Sequence, residues 1–126
     1  MTRRLRILHV DPERQWGGGE AQVLGLTQYL HKVGHVSHVA VHPRGILAQR
    51  LHAAGLVTRP LSIRNHLDGI AGWRLRRMVR KERYDLVHFH TARAHALSPW
   101  VRGLSIKRVV TRRMDYPISP GWMSHF

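Results

Sequence analysis

Apolar positions fall into five short runs along the chain, separated by segments with helical spacing. Leu5-Arg6-Ile7-Leu8-His9-Val10 ends at Asp11-Pro12, and so compact a run suits a strand buried in a parallel sheet. From Glu20 onward Val23, Leu26, Leu30 and Val33 recur with helical period, and Gly34 stands where a helix C′ residue belongs. Val36 to His42 reads as a second strand, Ile46 to Ala54 as a short helix closed by Gly55, and Val57 to Leu61 as a weaker third strand. Asp68 can cap a helix that runs to about Arg83, with Ala71, Leu75, Met78 and Val79 as its core-facing stripe. Asp85 to His90 is the fourth strand, Ala92 to Gly103 a helix, and Lys107 to Thr111 the fifth strand.

Strands alternating with helices in this way predict an α/β fold, a Rossmann-like doubly wound parallel sheet in a single domain over residues 1–126. Ligands of such sheets bind beyond the carboxyl ends of the strands, where the strand order reverses. With the order 3-2-1-4-5, the first and fourth strands meet at that point. The segments after them, a glycine loop and His90-Thr91-Ala92-Arg93-Ala94-His95, are then expected to face one crevice.

Composition narrows the setting. Cysteine is absent, which removes disulfides and thiolate chemistry. No apolar run approaches the roughly 20 residues of a membrane-spanning helix, and no signal-peptide core follows Met1, so a cytoplasmic protein is expected. Lys and Arg outnumber Asp and Glu by 21 to 7, a formal net charge of +14, and so imply an anionic partner. Nucleic acid, an anionic membrane and phosphorylated small molecules all meet that demand.

The candidate chemistry lies at the expected rim. Trp16-Gly17-Gly18-Gly19-Glu20 joins a strand to a helix, and its glycines would let backbone N–H groups approach a phosphate at the positive helix end. A tight turn needing positive φ is the competing explanation. A dinucleotide fingerprint would need glycine where Gln22 stands and an acid near His42-Pro43, and the Gly-Lys-Ser/Thr of ATPase phosphate loops is absent. His90, Arg93 and His95 can donate to phosphate or sugar hydroxyls, although His90 could equally be a strand-end histidine bonded to backbone. His88 shares a strand face with His90, but no third metal ligand is evident, so no metal is expected. Arg112, Arg113 and Asp115 follow the fifth strand; the arginines suit a diphosphate, and an Arg113–Asp115 ion pair is the plainer alternative.

One helix face stands apart. Opposite the Ala71/Leu75 stripe, Trp73, Arg76, Arg77, Arg80 and Arg83 fall together, an indole among arginines. Such a face can dock on an anionic membrane, or its arginine stems can simply cover the indole.

The chain resembles glycosyltransferase family 4, in the domain that precedes the nucleotide-sugar domain of the GT-B fold. The resemblance is carried by Ile7-Leu8-His9-Val10, Trp16 to Val23, Gly34-His35, Tyr84 to Thr91 and Val109 to Pro117. It implies sugar transfer from a nucleoside-diphosphate sugar to a glycan or lipid-linked acceptor of the cell envelope. Anomeric configuration would be retained, with no metal cofactor and no Asp-X-Asp motif, and none is present. By resemblance this is the acceptor-side domain, with Gly17, Gly18 and Gly19 near the donor diphosphate. His90 and Arg113 are the candidate catalytic residues, and Glu20, Arg93, His95, Arg112 and Asp115 are candidates for substrate binding. Many members place a histidine at the end of the fifth strand, where this chain has Thr111-Arg112-Arg113. The resemblance also implies that the domain is incomplete at its C-terminus and that a nucleotide-sugar domain should follow. A nucleic-acid-binding module and a single-domain phosphate-binding protein are the alternatives. Specific nucleic-acid binding is not expected, because the cations are spread along the chain without a recognised stacking or helix-turn-helix module.

Overall fold

The computed structural model describes residues 3–64 and 68–111. Its elements are β1 (Arg6–Asp11), α1 (Gly18–Lys32), β2 (Val36–Val41), α2 (Ile46–Ala53), β3 (Thr58–Pro60), α3 (Gly69–Glu82), β4 (Leu86–Phe89), α4 (Ala92–His95) and β5 (Lys107–Val110), with a 3-10 turn at Ser98–Val101. The five strands form one parallel sheet in the order β3-β2-β1-β4-β5, as expected. The fold is therefore Rossmann-like.

The sheet has a core on each face. Leu8, Val10, Val87 and Phe89 pack against Ala71, Leu75 and Val79 of α3 and against Leu97 and Val101. On the other face Val39 and Val41 pack against Val23 of α1 and Leu47 and Leu51 of α2. The two-residue period of a strand sends Ile7, His9 and Asp11 to the face opposite Leu8 and Val10, toward α1. There, polar groups are buried with the apolar ones: His9 is 1% exposed and Asp11 fully covered.

Helix ends follow from single residues. Asp68 caps α3 by accepting from the backbone N–H of Ala71 at 3.1 Å. Gly34 and Gly55 lie at φ 102° and 74°, just beyond α1 and α2, where a side chain would be strained. The helix expected from Ala92 to Gly103 is instead broken: α4 ends at His95, and a 3-10 turn with a proline in its first turn follows. Pro99 lacks the N–H a continuing α-helix would need, and its ring clashes with the preceding turn. The break seats Trp100 on α3, where a Cβ added to Gly72 would fall inside the indole ring. Arg76 secures the turn by donating to the carbonyls of Trp100 at 3.0 Å and Arg102 at 2.8 Å.

Nearly every acid among the described residues is engaged in holding the fold. Glu82 pairs with Arg6 and Arg59, Asp85 with Arg3, and Asp68 with Arg64. Asp11 and Glu20 are buried, and Glu13 accepts from Thr91. The exposed arginines are thus left with few neutralising partners, and the cationic excess is a property of the surface.

Candidate functional site

The carboxyl ends of β1 and β4 open into a crevice of about 780 Å³, within the range typical of ligand pockets. Its walls are residues 13–20 after β1 and residues 90–93 after β4. The glycine loop, His90 and Arg93, singled out separately in the sequence, share this space. His95 does not: it lines a neighbouring hollow with Arg102 and Arg108. Arg112, Arg113 and Asp115 lie outside the described residues.

None of Gly17, Gly18 and Gly19 has positive φ; among the described residues the glycines that do are Gly34, Gly55 and Gly103. Backbone strain is therefore not why this loop is glycine-rich. Gly17 is an extended N-cap with no side-chain cap, and α1 begins at Gly18. The first-turn N–H groups, Gly18 to Glu20, have no carbonyl one turn earlier in the helix and face the rim. A Cβ on Gly18 would meet nothing within 4 Å, so its absence keeps the approach to those N–H groups open.

Neighbouring contacts hold the loop. The Arg50 guanidinium of α2 lies 4.1 Å from the Trp16 ring centroid. The Ile46 N–H donates to the Arg14 carbonyl at 3.2 Å. Across the crevice the Thr91 hydroxyl donates to Glu13 Oε2 at 3.3 Å and accepts from the Ala94 N–H at 3.1 Å, tying the two walls together while capping α4.

Beneath the loop Asp11 and Glu20 form a buried carboxyl pair. Burial first, then hydrogen bonding to and repulsion from Glu20, push Asp11 up to about 8. Its Oδ1 accepts from the Glu13 N–H at 3.2 Å, while Oδ2 is buried with no protein donor facing it. Asp11 is therefore protonated at neutral pH beside Glu20.

Beside this pair lie His9, His88 and His90. His9 Nδ1 is 2.9 Å from His90 Nε2, and His9 Nε2 is 3.0 Å from Ser37 Oγ. His88 Nε2 bonds Thr111 Oγ1. Burial, and then the charge of His88, push His9 down to about 3, so it is neutral at physiological pH. The third potential ligand missing from the sequence reading is therefore His9, and donor atoms of the three lie within 4.8 Å of one another. Yet the rings of His88 and His90 are stacked, with centroids 3.7 Å apart and planes 26° apart. One ion about 2 Å from a nitrogen of each would have to lie in both ring planes, which requires the pair to unstack. The arrangement as it stands is a hydrogen-bonded imidazole chain.

Sequence reasoning overlooked His9, Ser37 and Asp11. The available signal was the alternation along β1: with β1 beside β4, His9 pairs in register with His88 and points to the same face.

A two-faced parallel sheet with a glycine-started helix at its switch point defines the class, a Rossmann-like domain with a ligand crevice at the strand ends. The glycosyltransferase family 4 model matches residues 16–125, and the chain belongs to that family. Among solved structures, a glycosyltransferase from Rickettsia africae ESF-5 superposes with a TM-score of 0.74 at 18% identity, over 98% of this chain and 34% of that one. Anabaena HepE, solved in complex with UDP and glucose, gives a TM-score of 0.67 at 16% identity, over 98% of this chain and 32% of that one. The chain thus spans about a third of the length of each. No curated protein sequence matches it.

Proposed function

We propose that the polypeptide containing this chain transfers a sugar from a nucleoside-diphosphate sugar to an acceptor with retention of configuration. This domain forms the acceptor side of the reaction cleft, and a following domain holds most of the nucleotide. The observation that carries the reading is the open first turn of α1, Gly18 to Glu20, facing His90 across the crevice in a family 4 domain. The UDP and glucose named for HepE support a sugar-nucleotide donor. The helix end receives the donor diphosphate, Arg93 adds charge at the opposite wall, and His90 lies against the reacting sugar. Arg112 and Asp115 complete the proposed binding set, with Arg113 the proposed catalytic partner of His90. The chemistry needs no metal, because backbone N–H groups and arginines neutralise the leaving diphosphate. The test is incubation of the two-domain polypeptide with a panel of nucleoside-diphosphate sugars and candidate acceptors, the product read by NMR. A glycoside with the donor's anomeric configuration is expected; inverted product would overturn retention, and no transfer from any donor would overturn the activity.

The acceptor is lipid-linked in this reading, and α3 docks on the inner face of the membrane. Ile70 is 56% exposed, Trp73 54% and Trp100 40%, and the Arg77 guanidinium sits 5.5 Å from the Trp73 ring centroid. Arg80 and Arg83 are exposed beyond them. Arg76 departs from the face inferred from helical spacing, since its guanidinium is occupied by the carbonyls of the 3-10 turn. No helix among the described residues is long and apolar enough to cross a membrane, and surface docking needs none. Liposome co-sedimentation should require anionic lipid and weaken with salt. The Trp73→Ala/Arg77→Gln/Arg80→Gln variant should lose tenfold or more of its binding, at about 1 kcal/mol per cation. Equal binding to neutral and anionic vesicles would remove membrane docking.

A further inference from the structure

The polar chain under the crevice crosses three strands. His9 on β1 pairs in register with His88 on β4, and His90 follows two residues later on the same face; on the other side Ile7 pairs with Ser37 of β2, two residues before the level of His9. Ser37, His9 and His90 therefore run diagonally across the sheet, joined by the 3.0 Å and 2.9 Å contacts. Exposures of 3%, 1% and 2% remove water as a competing partner. His90, the last member, lines the crevice.

We infer that Ser37, His9 and His90 form a relay that couples the Ser37 hydroxyl to the proton on His90 Nε2. Ser37 and His9 are then positioning residues for a group at the reaction cleft. The relay follows from the geometry and the neutrality of buried His9, and its effect on turnover rests on the glycosyl-transfer reading.

The physical basis is proton counting. Neutral His9 has one ring proton and two bonded ring nitrogens, so it donates on one side and accepts on the other. If Nε2–H donates to Ser37 Oγ, Nδ1 must accept from His90 Nε2–H. If the Ser37 hydroxyl donates to His9 Nε2, the order reverses and His9 Nδ1–H donates to His90 Nε2. The direction of the serine hydroxyl, two strands away, is thus tied to whether His90 Nε2 carries a proton. Either order keeps His9 neutral, as its burial favours. His88 stacks on His90 and bonds Thr111, limiting rotation of the His90 ring.

The test compares Ser37→Thr with Ser37→Val, side chains of the same shape that differ by the hydroxyl. Ser37→Ala, which adds no bulk, should behave as Ser37→Val does. In the first arm, long-range proton–nitrogen NMR of the histidine-labelled chain reads the tautomers of His9 and His90. Ser37→Thr should keep the native pattern, and Ser37→Val and Ser37→Ala should change it at both rings. In the second arm, on the two-domain polypeptide, Ser37→Val should lower kcat about tenfold against Ser37→Thr, the equivalent of one hydrogen bond. It should also shift the pH profile of kcat and leave KM for the sugar nucleotide unchanged. Tautomer patterns indifferent to the hydroxyl would overturn the relay. Changed tautomers with identical kcat and pH profiles would overturn the positioning role. A native polypeptide inactive with every sugar nucleotide would count against glycosyl transfer instead, and the spectra would still decide the relay.

Discussion

Gly18→Val is expected to cut kcat/KM for sugar transfer by a hundredfold or more while leaving thermal unfolding within a few degrees of the parent. A hundredfold loss is about 2.7 kcal/mol of transition-state stabilisation, the scale of removing one well-placed donor from a developing anion. Gly18 is the first residue of α1 and lines the crevice, and a Cβ there meets no protein atom within 4 Å. Valine would therefore spare the fold and occupy the space through which a diphosphate reaches the first-turn N–H groups. Position 17 differs, since a Cβ there would come within 3.3 Å of Glu20 Oε1 and disturb the buried carboxyl pair. The measurement is steady-state kinetics of the two-domain polypeptide beside a melting curve. Unaltered turnover by a folded Gly18→Val protein would take the loop out of the donor site.

The second large effect is on stability against pH. Asp11, near 3.8 in an unfolded chain, is held at about 8 by burial and by Glu20, so the folded state keeps a proton the unfolded state gives up. That stabilisation is complete below pH 3.8 and is lost as pH rises toward 8. His9 runs the other way: burial and His88 take it from 6.5 to about 3, and its contribution is lost as pH falls through that window. His38 and His42, lowered chiefly by burial, add to the acid side. Below pH 6.5 the histidines oppose Asp11; between 6.5 and 8 Asp11 acts without them. Stability should peak near pH 6.5 and fall by about 2 kcal/mol toward pH 8, at about 1.4 kcal/mol per pH unit for one proton. Asp11→Asn, which keeps the shape and removes the titration, should flatten the alkaline limb and steepen the acid one, where Asp11 no longer opposes the histidines. Urea unfolding at half-unit pH steps measures both limbs, and an alkaline limb of undiminished slope in Asp11→Asn would show that the decline arises elsewhere.

Local patterning carried the architecture. Short apolar runs specify buried strands, and the stripe at Ala71, Leu75 and Val79 specifies one face of α3; each is a property of neighbours in sequence, so α3 agrees with its expected ends to within one residue. Asp68 and Gly34 act at the helix end they mark, and they too were readable. The crevice followed once β1 and β4 were placed side by side, because the switch-point rule then brings the glycine loop and His90 together.

Tertiary structure decided the rest, wherever the deciding partner is distant in the chain. Arg76 belongs to the outer face by helical angle, yet it serves carbonyls 24 and 26 residues away because Pro99 turns the chain back onto α3. Asp11 and Glu20 are acids like any others in sequence, and only shared burial under the glycine loop makes Asp11 hold its proton. His9, Ser37 and His90 are separated by 28 and 81 residues and are joined by strand register, which no local signal encodes. The sequence by itself determined the elements, their order and the rim at which a ligand binds, since periodicity and helix-end chemistry act over a few residues. The proton states and pairings of the polar groups beneath that rim were left to the packed sheet, since burial and register arise only when distant strands meet.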